Sequence, residues 1–135
     1  MLALANACNP THDSREKHAA AGLFTSADNL EVARRADVIF LAVKPDVIPD
    51  VLRQIASTVG QAKLIVSIAA GVSLQALQAQ LQPGARVIRV MPNLPCLVGE
   101  CAAGFCRGAH ATAADSKLVG GLLGTVGRAE EVACA

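Results

Sequence analysis

The chain has 135 residues, 53% of them hydrophobic, with no Trp, no Tyr and only 3 Phe. That length gives one domain with a proper core, built here from Val, Leu, Ile and Ala. A formal net charge of +1 argues against a nucleic-acid or membrane-surface protein held by bulk charge, and no apolar run reaches the ~20 residues of a membrane span.

The first seven residues are apolar but lack a basic leader, so they make a poor signal peptide and a cytoplasmic protein is expected. The cysteines are Cys8, Cys96, Cys101, Cys106 and Cys134. Their number is odd, no C-x-x-C pair occurs, and their spacings do not match known metal sites. They are expected to be reduced and to act as small hydrophobes, with Cys101 and Cys106 on opposite faces of a strand. No metal site is expected.

In chain order, residues 2–7 read as a short buried strand ended by Asn9 and Pro10. Asp13 followed by Glu16 opens a helix in the manner of a capping box, and Gly22 ends it. A brief strand over 23–25 follows, and Ser26 caps a short helix reaching Arg35. Residues 38–43, V-I-F-L-A-V, are an uninterrupted apolar run. A strand wet on one face alternates polar and apolar, so this run is expected to be a central parallel strand covered on both faces. Pro45 supplies no N–H and keeps Lys44 extended, which turns the chain. Val47, Ile48, Val51, Leu52, Ile55 and Val59 then repeat at helical spacing, with Asp50, Arg53 and Gln54 outward. Residues 64–68 form another strand, Ser73 caps a helix carrying Leu74, Leu77 and Leu81, and Pro83-Gly84 turns the chain. Strands are expected over 87–91 and 102–107. Thr112 with Asp115 opens a helix bearing Leu118, Val119, Leu122, Leu123 and Val126, and residues 128–133 form a last strand.

This alternation predicts an α/β fold with a doubly wound, mostly parallel Rossmann-like sheet. Such sheets bind ligands at the carboxyl ends of their strands. Three ends here carry small or proline-containing turns: Ala42-Val43-Lys44-Pro45, Ala69-Ala70-Gly71 and Met91-Pro92-Asn93-Leu94-Pro95. Small residues let a flat ligand approach the backbone. The G-x-G-x-x-G that follows the first strand of a dinucleotide fold does not occur, so the sheet is expected to lack that strand and its Gly-rich loop. Asn9, Thr11, Ser14 and Arg15 stand where NAD-binding folds carry an acid, which suits the 2′-phosphate of NADP. No nucleophilic triad can be assembled from His12, His18 and His110, and Glu100, near the Met91 to Pro95 turn, is the one acid singled out. No catalytic residue is assigned.

Four linked segments, A-D-V-I-F-L-A-V-K-P, V-S-I-A-A-G-V-S-L, R-V-I-R-V-M-P-N-L-P and L-V-G-E, resemble pyrroline-5-carboxylate reductase in order and spacing, from about residue 2 to residue 132. The resemblance implies reduction of the cyclic imine 1-pyrroline-5-carboxylate to L-proline, a step of proline biosynthesis, with hydride from NADPH or NADH. It implies that Asn9 and Asn29 lie near the adenosine end of the cofactor. Ala42, Val43, Lys44, Pro45, Ile68, Ala69 and Ala70 would follow it along the sheet edge. Met91 to Pro95 would lie near the nicotinamide and the imine.

The helical C-terminal domain, which in the family makes the homodimer and much of the imine site, has no counterpart in these residues, and Cys101 stands where the family usually has glycine. The chain is therefore expected to be a partial cofactor domain, association-prone and without turnover by itself. The alternatives are another NADP-dependent reductase, such as a deazaflavin-dependent one, and a non-catalytic nucleotide-binding module.

Overall fold

A computed structural model describes residues 6–8 and 12–134. Strands and helices alternate as β1 (Asn6–Cys8), α1 (His12–Ala20), β2 (Phe24–Ser26), α2 (Asn29–Arg35), β3 (Val38–Leu41), α3 (Ile48–Ile55), β4 (Leu64–Ser67), α4 (Leu74–Gln78) and β5 (Arg86–Met91). A 3-10 helix (Leu94–Val98), β6 (Cys101–Arg107), α5 (Ala113–Leu123) and β7 (Gly127–Glu131) complete the order. Five strands form one sheet in the order β3-β4-β5-β6-β7, parallel except where β6 runs antiparallel to β5. β1 and β2 form a separate parallel pair. The fold is α/β with a mostly parallel, Rossmann-like sheet.

Period-2 alternation sorts the strand side chains into two cores. Leu41, Ile65 and Val87 pack with Ala33 of α2, Ile48, Leu52 and Ile55 of α3, and Leu77 of α4. Leu64, Val66, Ile88, Val90, Cys101, Ala103 and Phe105 meet Val119 and Leu123 of α5 on the other face. All four residues of β4 are buried, as both-face coverage requires.

The run at 38–43 is not a central strand. Among the described residues β3 pairs with β4 alone and is the edge of its sheet, and only Leu41 in it is buried, while Phe40 is 42% exposed. The usual dinucleotide order 3-2-1-4-5-6 puts a strand between the positions held here by β1 and β3. Among the described residues these two do not pair. The apolar pattern of β3 suits a covered strand, whereas among the described residues no strand pairs with its outer side.

Several boundaries depart from expectation for local reasons. The cap of α2 is Asp28, whose Oδ1 accepts from the Leu30 N–H at 2.8 Å. Ser26 instead ends β2, accepts from the Asp28 N–H and donates to Glu31. Asp13 lies inside the first turn of α1, not at its cap. Gly22, at φ 81°, closes that helix with a Schellman motif: the Leu23 N–H reaches His18 O and the Gly22 N–H reaches Ala19 O. Ser73 and the Thr112/Asp115 capping box act as the sequence indicates. On α5, Val119 and Leu123 are buried but Leu118 and Leu122 are exposed, because its inward stripe is narrower than its apolar content.

The reduced state expected for all cysteines is corrected at two of them. Cys106 and Cys134, 28 residues apart, are joined in a disulfide. β7 runs parallel to β6, and the Val132 N–H donates to Phe105 O, so the tail beyond β7 passes beside Cys106. A partner brought in by strand pairing leaves no trace in cysteine spacing. Cys101 and Cys106 do lie on opposite faces: Cys101 is in the α5-side core, Cys106 is not.

Candidate functional site

Register brings the strand ends together. Leu41 of β3 is opposite Ser67 of β4, and Ser67 is opposite Arg89 of β5. Beyond this row the Ile68 N–H donates to Leu41 O at 3.2 Å, so Ile68 and Ala42 leave the sheet side by side. Ala42, Val43, Lys44, Pro45 and Ala70 are exposed at this edge, Ile68 is half-buried and Ala69 is buried. The Val47 N–H returns to Lys44 O at 3.0 Å, which folds the turn after β3 tightly before α3. Lys44 takes no part in an ion pair among the described residues and projects a positive charge at this end of the sheet.

Asn29 is the first residue of α2, and its Nδ2 donates to Gln54 Oε1 of α3 at 2.8 Å. Its carboxamide thus ties two helices together. Asn9 lies outside the described residues. The turn after β5 is latched by Asn93, whose Oδ1 accepts from the Ala102 N–H at 2.9 Å. Glu100 is exposed, and its backbone N–H donates to Pro95 O.

Two polar residues at this end were not singled out from the sequence. Ser67 is fully buried at the end of β4, and its Oγ accepts from the Ala69 N–H at 3.3 Å, which shapes the turn before Ala70. Among the described residues the buried Nε of Arg89 has no hydrogen-bond partner, while its Nη2 lies 3.2 Å from Met91 Sδ. It borders a cleft of about 730 Å³ with Gly71, Ser73, Gln75 and Gln78. Neighbouring R-V-I-R-V-M positions read alike as alternation in a strand; only the register with Ser67 picks out Arg89.

Among the described residues, the side chains His12, Asp13 and Glu16 are the one group placed to share a cation, and all three are exposed on a single turn of α1. No helix among those residues is long and apolar enough to cross a membrane.

Residues 4–71 match the family described as "NADP oxidoreductase coenzyme F420-dependent". Pyrroline-5-carboxylate reductase 3 of Xenopus laevis is 45% identical over 123 residues, which are 91% of this chain and 45% of that protein. The chain belongs to the pyrroline-5-carboxylate reductase family. The solved pyrroline-5-carboxylate reductase of Coxiella burnetii superposes with a TM-score of 0.89 at 28% identity, covering 94% of this chain and 48% of that one. The Plasmodium falciparum pyrroline carboxylate reductase, solved with NADP bound, gives a TM-score of 0.77 at 33% identity over 82% of this chain and 42% of that one. The chain spans less than half the length of each of these relatives, and the part it shares with the reductase family is the NADP-binding N-terminal domain.

The residues present suit one flank of a dinucleotide. Ala42 and Ala70 carry no side chain beyond Cβ and are open to solvent where β3 and β4 end, so a flat ring system can lie against the backbone. A Gly-rich turn to cradle a pyrophosphate is not among them.

Proposed function

We propose that this chain is the cofactor-binding part of a pyrroline-5-carboxylate reductase, which holds NADPH, or NADH, along the carboxyl edge of its sheet. The observation that carries this reading is the row Leu41, Ser67 and Arg89, which lines up three strand ends on one edge. When bound, the reduced nicotinamide supplies a hydride to the electrophilic C=N carbon of the imine.

The chain's own residues supply position and field. The backbone of Ala42 to Pro45 and of Ile68 to Ala70 would flank the cofactor, and Lys44 would offer a charge to a phosphate or a substrate carboxylate. Ser67 fixes the turn that presents Ala70. Met91 to Pro95, latched through Asn93, would border the nicotinamide and the imine, and no residue is assigned as proton donor. In the family the rest of the imine site comes from a dimer-forming domain, so a homo-oligomer is the working form we expect.

A second reading has one observation in its favour: the family description matched at residues 4–71 names an F420-dependent NADP oxidoreductase, a deazaflavin enzyme. The likeness to pyrroline-5-carboxylate reductases extends well beyond residue 71 and favours the first.

The test is NADPH oxidation. The 135-residue chain alone should show no imine-dependent oxidation, since no Gly-rich pyrophosphate cradle occurs in its sequence and it spans less than half the length of its reductase relatives. A chimera that adds that cradle and the remaining length from a relative should show it. Turnover by the chain alone would overturn the partial-domain reading. Coenzyme binding by the chimera without imine-dependent oxidation would favour a nucleotide-binding module.

A further inference from the structure

The turn between β5 and β6 holds two cysteines that the proposed cofactor role does not use. Leu94–Val98 is a 3-10 helix ended by Gly99 at φ 78°. The Gly99 N–H donates to Cys96 O and the Glu100 N–H to Pro95 O, the paired bonds of a Schellman motif. That motif reverses the chain and returns Cys101, the first residue of β6, to the side of Cys96. Cys96 packs against the core that contains Cys101. The two thiols share a hydrogen bond, which, followed by partial burial and the neighbouring sulfur's charge, holds the Cys96 thiol above the usual range. Both are free thiols; Cys101 is 3% exposed and Cys96 is half-buried.

We propose that Cys96 and Cys101 form a thiol-oxidation site, a dithiol that a small-molecule disulfide of the glutathione type closes into a disulfide across this turn. Accessibility sets the order of events. The Cys96 thiolate attacks one sulfur of oxidised glutathione, forms a mixed disulfide and expels one glutathione thiolate. Cys101, deprotonated in turn, attacks Sγ of Cys96 and expels the second. Two protein thiols are oxidised, one glutathione disulfide is reduced to two thiols, and the two protons pass to them. The bridge would tie the first residue of β6 to the turn that carries Asn93 and Pro95, next to the Asn93–Ala102 latch.

The full chain is incubated with oxidised glutathione at mildly alkaline pH and then cleaved after glutamate. Glu100 lies between the two cysteines, so fragments ending at Glu100 and beginning at Cys101 should stay joined until reduced, at a mass lower by two hydrogens. In Cys101→Ala the exchange should stop at glutathione on Cys96, and in Cys96→Ala the buried Cys101 should stay unmodified. Wild-type chain that carries glutathione on Cys96 without closing the bridge, or Cys96 linked to Cys106 or Cys134, would overturn the proposal. The readout is covalent and independent of coenzyme binding or imine reduction, so it can fail while the proposed function stands.

Discussion

Arg86 and Asp115 join the amino end of β5 to the first turn of α5, with Nη1 and Oδ1 2.6 Å apart and the carboxylate side chain only 6% exposed. The same guanidinium donates to Gln61 O and Ala62 O, and the same carboxylate accepts from the Thr112 N–H and Oγ1. One ion pair therefore links a strand, a helix cap and the loop before β4. Removing one partner leaves the other charge poorly solvated, which costs about 3 kcal/mol for a buried pair. Asp115→Ala should therefore lower the melting temperature by roughly 10 °C. Thr112→Ala, which removes only part of the cap, should cost about 1 kcal/mol. Equal losses in thermal unfolding would mean that the ion pair adds nothing beyond capping.

Gly127 offers a sharper steric case. Its φ is 150°, and a Cβ there would lie 2.2 Å from Cys101 O and 2.4 Å from Cys101 N. Both are backbone atoms of the β6 ladder and cannot rotate away. Gly127→Ala should destabilise by about 3 kcal/mol or more, while Gly121→Ala, with open space around its Cβ position, should be neutral or slightly stabilising in a helix. Circular dichroism melts of the two variants make the comparison, and similar melting points would contradict it.

These two sites mark both where sequence reading succeeds and where it stops. The Thr112/Asp115 cap was legible because capping is local, with both partners within one turn. The inward stripe of α3 was legible because Ile48, Val51, Leu52 and Ile55 repeat at helical spacing. The partners of Arg86, the collision at Gly127 and the Cys106–Cys134 bridge all depend on which strand lies beside which, and pairing across 24 or more residues leaves no local pattern. The same holds for the site: its small turns were readable, but the alignment of Ser67 with Arg89 is a matter of register. The run at 38–43 misleads in an instructive way, since it describes a covered strand while β3 stands at an edge.

Coenzyme preference follows from the segment after β1. In a dinucleotide fold an acid there bonds the ribose 2′-hydroxyl of NAD and repels a 2′-phosphate. This chain has Asn9 instead. In a chimera with a complete cofactor domain, NADPH should bind about 10-fold more tightly than NADH, and Asn9→Asp should erase that margin. Titration followed by the coenzyme's own fluorescence tests both. Equal affinities in the parent chimera would count against the assignment.

The open edge of β3 leads to a prediction about association. Backbone groups on its outer side have no ladder partner among the described strands, Phe40 is 42% exposed and Val43 38%. Unpaired edges recruit other strands. At ~25 cal/mol per Å2, covering a few hundred Å2 of apolar surface contributes several kcal/mol, comparable with a whole domain's ~5–15 kcal/mol. A second apolar surface competes as the cause: Leu94, Leu97 and Val98 on the 3-10 helix are 85%, 87% and 77% exposed. The chain should elute from a sizing column as concentration-dependent oligomers and melt below the ~45–65 °C typical of mesophilic domains. Because Trp and Tyr are absent, circular dichroism is the probe of unfolding. Phe40→Lys puts a charge on the edge and should shift the elution towards monomer, whereas Leu97→Ser should leave it largely unchanged. The reverse pattern would place association on the 3-10 helix, and a monodisperse parent chain melting cooperatively above that range would show that the open edge has no such cost.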